Sequence, residues 1–353
     1  MSLSPDIERS KPREVKPLLP GHRLLFPNPG FLFGAAGKMT MDEMGLVNVR
    51  FKDLPQERLD RNAQILGEEY FYLLGLLREH IGADNIVIVR NRIIMLKDLP
   101  DSDFRDVHIT HYPDLSEFES VDLSVSQNHP SIWTRDGFST IGDITFVNPK
   151  FFSGVDEDEK VISSSLGEGG SVLVAGNAVL VSEDLWIEKN QDRGFNVLKR
   201  LGFTVAPLPP VDPNKQKYVF INESHIDCHA ALIIDPSGKL HLLVAESYSR
   251  QGNGTRKRIR FAADTIGAKV FEVDDRNLPP LALNFIQLAD KTAIVTGSET
   301  ADLTFVLDNI LGANNVRVTS VPLLAIPAML AGSIRCMTNT IPESLLNQLK
   351  TKA

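Results

Sequence analysis

One pattern recurs four times along the 353-residue chain: a helix-like stretch, a glycine, then at once a short β-branched strand. The copies run through Ile81-Gly82-Ala83, Leu201-Gly202-Phe203, Ile266-Gly267-Ala268 and Leu311-Gly312-Ala313. Each follows apolar residues at helical spacing, as in Leu303, Val306, Leu307 and Ile310. The glycine ends the helix because the position after its last turn often takes a left-handed backbone. A length of 353 would by itself suggest two domains, since single cores stop growing near roughly 250–300 residues. Four copies of one α/β unit, with room for another between Gly82 and Gly202, instead predict one domain built by repetition.

Between the helices, strands are expected over 140–147, 171–181, 218–221, 230–234, 240–245, 285–288 and 291–295. Asp235-Pro236-Ser237-Gly238-Lys239 is a turn sequence, so 230–245 should form a hairpin. Residues 1–30 hold Pro5, Pro12, Pro17, Pro20, Pro27 and Pro29 and read as an extended N-terminal arm. The catalytic domain is then expected over 31–353, with surface loops at 156–160 and 209–217.

Composition narrows the function classes. A formal net charge of −8 disfavours general nucleic-acid binding, which needs excess Lys and Arg to neutralise phosphate. Arg250, Arg256, Lys257, Arg258 and Arg260 cluster around Gly252-Asn253-Gly254; a solvated, mobile loop is favoured there over an anion-binding loop. The longest apolar stretch, 321–334, is interrupted by Pro322 and Pro327 and is too short to cross a bilayer. The N-terminus lacks an apolar signal core, although Met1-Ser2-Leu3 could be an expression remnant replacing a natural leader. The expectation is a soluble, cytoplasmic protein, with homo-oligomer formation left open. Two cysteines, Cys228 and Cys336, cannot build a disulfide scaffold or a cysteine-based zinc site, and at least one is free to act as a nucleophile.

Four polar islands carry the chemistry. Cys336 follows Ala331-Gly332-Ser333, small residues that allow a sharp turn and a close ligand, and Arg335 stands beside it. A thiol needs a neighbouring cation or base to attack at neutral pH, whereas a buried cysteine can equally be a small hydrophobe. In His225-Ile226-Asp227, strand periodicity would put His225 and Asp227 on one face as an acid/base pair. His229 shares that face, so His225, Asp227 and His229 as metal ligands form a rival reading. Asp136, in Trp133-Thr134-Arg135-Asp136-Gly137, is a candidate carboxylate or simply a turn residue. Glu168, flanked by Gly167, Gly169 and Gly170, lies where the backbone can approach a partner closely, and equally fits a plain glycine turn.

These islands, in this order over 133–342, resemble the guanidine-modifying (pentein) superfamily, above all agmatine and arginine deiminases. Trp-Thr-Arg-Asp at 133–136, Glu168-Gly169-Gly170-Ser171, His225-Ile226-Asp227 and the segment around Cys336 are similar to its motifs. Phe138 stands where a proline is usual, and Arg335 is like arginine deiminases, where agmatine deiminases carry histidine. The resemblance implies an α/β-propeller of five pseudo-symmetric ββαβ units and a hydrolase of a small guanidino compound that needs no metal or organic cofactor. It implies Cys336 as nucleophile, His225 as acid/base, Glu168 as its orienter, and Asp136 and Asp227 as the grip on the cation, with Arg335 also at the substrate. Amidino transfer on the same fold is one alternative; a non-catalytic binding protein of this fold is another. The substrate itself is not specified: arginine, agmatine, a methylated or a peptidyl arginine present the same reacting head.

Overall fold

The computed structural model describes residues 21–27, 39–42, 45–48, 55–90, 115–122, 135, 137–149, 157, 160–212, 225–278, 281–288, 292–296, 301–312, 317–321 and 333–352. The first elements are β1 (His22–Pro27), β2 (Met39–Asp42), β3 (Gly45–Asn48), α1 (Gln56–Ile81), β4 (Ile86–Arg90) and β5 (Glu119–Asp122). Next come β6 (Phe138–Ile141), β7 (Ile144–Val147), β8 (Val161–Ser163), β9 (Val172–Ala175), β10 (Ala178–Ser182), α2 (Glu183–Glu188), α3 (Arg193–Arg200) and β11 (Thr204–Leu208). Then follow β12 (Ala230–Ile234), β13 (Leu240–Ala245), α4 (Glu246–Ser249), α5 (Thr255–Ile266), β14 (Ala268–Val273), β15 (Ile286–Leu288), β16 (Thr292–Thr296), α6 (Ala301–Leu311) and β17 (Arg317–Val321). The chain ends in α7 (Ile334–Met337), β18 (Asn339–Pro342) and α8 (Glu343–Lys352).

The repeat seen in sequence becomes a repeat of sheets. In each of β9-β10-β11, β12-β13-β14 and β15-β16-β17, the middle strand pairs antiparallel with one neighbour and parallel with the other. The antiparallel pair is a hairpin, and the parallel crossover carries a helix, as parallel pairing requires a long connection. The glycines that end these helices, Gly202, Gly267 and Gly312, and Gly82 after α1, all take positive φ, between 74° and 85°. This is the left-handed backbone that a side chain disfavours. The sheet β6-β7-β8 has the same strand pattern. Besides the two-stranded β2-β3 pair, there is the four-stranded sheet β18-β1-β4-β5, whose first strand is supplied by β18, so residues 22–27 and 339–342 build one unit together.

Three expectations change. The arm expected over 1–30 is a strand from His22 on: Leu24, Leu25 and Phe26 are buried between β18 and β4, and residues 1–20 lie outside the described residues. An apolar run between two prolines outweighs the proline content, and Pro27, which lacks an N–H, sits at the strand's end. The single strands expected over 140–147 and 171–181 are each hairpins, turning at Gly142 (φ 60°) and Gly176 (φ 56°). The strand expected over 218–221 lies outside the described residues, whereas 230–245 forms its hairpin as expected.

Two cores position the site. Leu66, Tyr70, Leu73 and Leu77 of α1 cover Leu24, Phe26, Ile86 and Ile88, and this cluster includes Ile334 and Met337, which flank Cys336. Both flanking side chains are fully buried, and burial of each contributes about 1.5–3 kcal/mol, so the short α7 is held on both sides of the thiol. The largest cluster joins β10, β13, α5 and α6 through Leu180, Leu242, Ile259 and Leu303, and takes in Ile226 beside Asp227.

The basic cluster at 250–260 is mostly helical, not a loop: after Gly252-Asn253-Gly254, α5 begins at Thr255. Arg256 pairs with Glu272, Arg258 with Glu183 and Arg250 with Glu246 on the surface, so these cations have carboxylate partners within the chain. Among the described residues no helix is long and apolar enough to cross a membrane.

Candidate active site

Glu168 is fixed by a chain of local contacts that begins at a helix cap. Asp192 caps α3 by accepting from Gly194 N at 2.7 Å, and the same carboxylate accepts from Ser164 Oγ and Ser165 N, each at 2.7 Å. This holds the single-turn helix 165–167, after which Glu168 projects with one oxygen 2.9 Å from His225 Nε2. Its second oxygen accepts from Asn148 Nδ2 at 2.9 Å. Both carboxylate oxygens are engaged, so the imidazole meets a charge of fixed orientation, as an acid/base histidine requires.

The glycines around Glu168 are dictated by space. A Cβ at Gly170 would lie 2.7 Å from His225 Nδ1 and 2.8 Å from its Cγ, so the imidazole rests on the bare backbone. A Cβ at Gly169 would collide with Arg135, and one at Gly167 with the Asn148 backbone. These are contacts no Cβ can share.

The His225-Ile226-Asp227 island differs from the strand expected of it. Residues Ile226–Cys228 form a 3-10 turn, so His225 and Asp227 do not share a strand face. A strand is ruled out locally by the hydrogen bonds Cys228 N to His225 O and His229 N to Ile226 O, which close the turn. His225 faces Glu168, while the fully buried Asp227 accepts from Arg335 Nη1 at 2.9 Å. His229 packs its ring 5.7 Å from that of Tyr248, and burial pulls its imidazole down to about 4. The rival metal reading needs these three side chains to converge, and they do not. Among the described residues no group of three His, Cys, Asp or Glu is placed to hold a metal.

Arg335 faces inward. Beside Asp227, its guanidinium donates to Gly169 O at 3.2 Å and Val172 O at 2.7 Å, binding the glutamate and histidine islands to the residue before the thiol. Arg135 completes the stitching: its N donates to Cys336 O at 3.4 Å, its Nε to Arg335 O at 2.8 Å, and its O accepts from Gly169 N at 3.0 Å. Asp136 lies outside the described residues.

Two further residues emerge from the structure. Asn284 is fully buried; its Oδ1 accepts from Cys336 N at 3.2 Å and its Nδ2 donates to Asp227 O at 3.3 Å. It is reached through Leu281, whose φ of 57° is a strained conformation costing on the order of 1–3 kcal/mol. Asn148 is the other, as the second partner of Glu168. The signal for Asn284 was present in sequence, as a lone polar residue in the apolar run Leu281-Ala282-Leu283-Asn284-Phe285-Ile286. Cys336 itself is buried at 5% exposure, and its presence is the main cause that raises the thiol of Cys228, which is also buried.

No family model matches the sequence, and no curated protein matches it either. Solved structures do match in three dimensions. The C. jejuni agmatine deiminase superposes with a TM-score of 0.52 at 13% identity, covering 92% of this chain and 98% of that one. A substrate-bound form of that enzyme gives 0.52 and 13%, covering 91% and 93%. DDAH from Pseudomonas aeruginosa gives 0.49 at 10% identity, covering 90% and 98%. The C. jejuni matches extend over nearly the whole of both chains, so this mixed α/β protein shares the fold of that deiminase. At this identity the likeness is one of fold.

Proposed function

We propose that the protein is a cysteine-dependent hydrolase of a small guanidino compound, acting on a C–N bond. The observation that carries this reading is the His225–Glu168 pair, tied through Gly169, Arg335 and Asp227 to the segment that bears Cys336. It supplies a nucleophile, an acid/base and its orienter in one stitched unit, the set that covalent catalysis needs.

In this reading Cys336 Sγ attacks the central carbon of the substrate guanidinium, and the electron pair of the cleaved C–N bond leaves with the amine, which His225 protonates. His225 then takes a proton from water, whose oxygen attacks the thiouronium carbon and expels the thiolate, giving a ureido product. Glu168 holds the imidazole and balances its charge. Asp136 and Asp227 supply the carboxylate grip, which suits the planar N–H fork of a guanidinium. Asp227 already binds one guanidinium, that of Arg335, through Oδ2, so a substrate would engage it from its other side. Arg335 is accordingly assigned to positioning, because its Nη1 and Nη2 donate to Gly169, Asp227 and Val172 within the protein.

The remaining expectations belong to the same reading: five units closing as an α/β-propeller around this site, and a cytoplasmic setting in which both free thiols stay reduced. The test is a panel of guanidino compounds (arginine, agmatine, methylated arginines and a peptidyl arginine) assayed for ammonia or amine release and ureido product. One or more should turn over, and Cys336→Ala should abolish that turnover while leaving the fold intact by circular dichroism. Turnover retained in Cys336→Ala would refute the assignment.

A further inference from the structure

Cys228 has no part in the hydrolytic cycle, yet it occupies a singular place. The residues preceding the two cysteines, Asp227 and Arg335, are joined by an ion pair at 2.9 Å. Their backbones share one side chain, because Asn284 accepts from Cys336 N and donates to Asp227 O. The two turns are thus held against each other, and Cys336 stands near enough to be the main cause that raises the Cys228 thiol above its ordinary value. Cys228 Sγ also lies 3.7 Å from Asp227 Oδ1. A cysteine serving only as a small hydrophobe would sit among apolar side chains; among the described residues Cys228 clusters with the buried Leu281 and also meets the Asp227 carboxylate. These are the chain's only two cysteines.

We propose that Cys336 and Cys228 are a paired oxidation site that closes into an intrachain disulfide when the protein meets a hydroperoxide. The first step forms a bond between Cys336 sulfur and the outer peroxide oxygen as the O–O bond breaks. The leaving hydroxide or alkoxide takes a proton, and Cys336 becomes a sulfenic acid. In the second step Cys228 sulfur attacks Cys336 sulfur, the S–O bond breaks, and the departing hydroxide leaves as water with the Cys228 proton, which Asp227 can relay. Two thiols are oxidised by two electrons; the peroxide is reduced to water and water or an alcohol.

The division of labour follows from the surroundings. The neighbouring Cys336, together with burial and the Asp227 charge, pushes the Cys228 thiol well up, so Cys228 stays protonated. It is therefore the resolving thiol and a poor first target, since thiolates react with peroxide. The disulfide would consume the proposed nucleophile and protect it from irreversible oxidation, but the inference does not depend on turnover, because its test reads covalent bonds.

The full-length protein is treated with hydrogen peroxide, denatured, alkylated without reductant and analysed by tryptic mass spectrometry and non-reducing electrophoresis. Free thiols should fall from two to none, the Cys228 and Cys336 peptides should appear crosslinked in a chain of monomer mobility, and dithiothreitol should restore both thiols. Sulfinic or sulfonic acid on Cys336 beside an alkylated Cys228 would overturn the proposal, as would crosslinks only between chains. Cys228→Ala supplies the second arm: dimedone should label Cys336 in most variant chains and in few wild-type chains. Equal labelling in the two proteins would count against a resolving role.

Discussion

Removing Arg335 should destabilise the protein by more than the loss of a surface charge, and by a pattern that identifies why. Asp227 is fully buried and the Arg335 side chain is 11% exposed, so Arg335→Met leaves a carboxylate with no cation and almost no water. Breaking such a pair from one side costs about 3–5 kcal/mol. The carbonyls of Gly169 and Val172 also lose donors, at about 1–3 kcal/mol each where water cannot replace them. Because the arginine retains some exposure, water can satisfy part of this, and a total of about 4–5 kcal/mol is expected. Asp227→Asn, which leaves a cation facing a neutral amide, should cost about 2–3 kcal/mol on the same reasoning. The double variant has no unpaired charge, and should be less destabilised than the sum by about 2 kcal/mol. Urea unfolding of all four proteins with unchanged slope measures this. Additivity within about 0.5 kcal/mol, or a loss below about 1 kcal/mol for Arg335→Met, would refute the buried-pair account.

Gly170→Ala places a methyl group 2.7 Å from His225 Nδ1, so the ring must retreat by roughly 0.7 Å to reach ordinary contact at about 3.4 Å. That strains the 2.9 Å bond to Glu168 and should lower kcat about 100-fold, while thermal unfolding shifts only modestly. Asn148→Asp replaces a donor to Glu168 with a second carboxylate that repels it, which should displace Glu168 from His225 and lower kcat; an unchanged kcat would argue that Asn148 does not support Glu168. His229 has its folded value lowered from 6.5 to about 4 by burial, so between these values the unfolded chain binds the proton and the folded one does not. Its contribution is complete above pH 6.5 and is lost as pH falls towards 4, by about 3 kcal/mol, and His229→Leu should flatten that slope in unfolding measured across the window.

The repeat was readable because its punctuation is steric: glycine takes the left-handed turn after a helix at least cost, and each of Gly82, Gly202, Gly267 and Gly312 takes it. The hairpin turns at Ile141-Gly142-Asp143-Ile144 and Ala175-Gly176-Asn177-Ala178 were equally present, as two-residue turn sequences between apolar runs, but the continuous apolar pattern masks them. The site divides in the same way. The sequence pattern marked Glu168 and His225 as separate candidates, and in the structure their side chains lie 2.9 Å apart. It could not reveal Arg335 turning inward onto Asp227, because that contact spans 108 residues and depends on how two turns pack. Local periodicity misread the second island for a related reason: Ile226–Cys228 closes as a turn between sheets, where period two does not apply.

The central claim is that Cys336 is the nucleophile in a guanidine hydrolase. Rapid acid quenching during turnover of an isotopically labelled guanidino substrate, followed by peptide mass spectrometry, tests it most directly. The account predicts a labelled thiouronium adduct on the Cys336 peptide that appears and decays within the time course of turnover. Product formation with no adduct on Cys336 at any quench time, or an adduct on Cys228 instead, would contradict it.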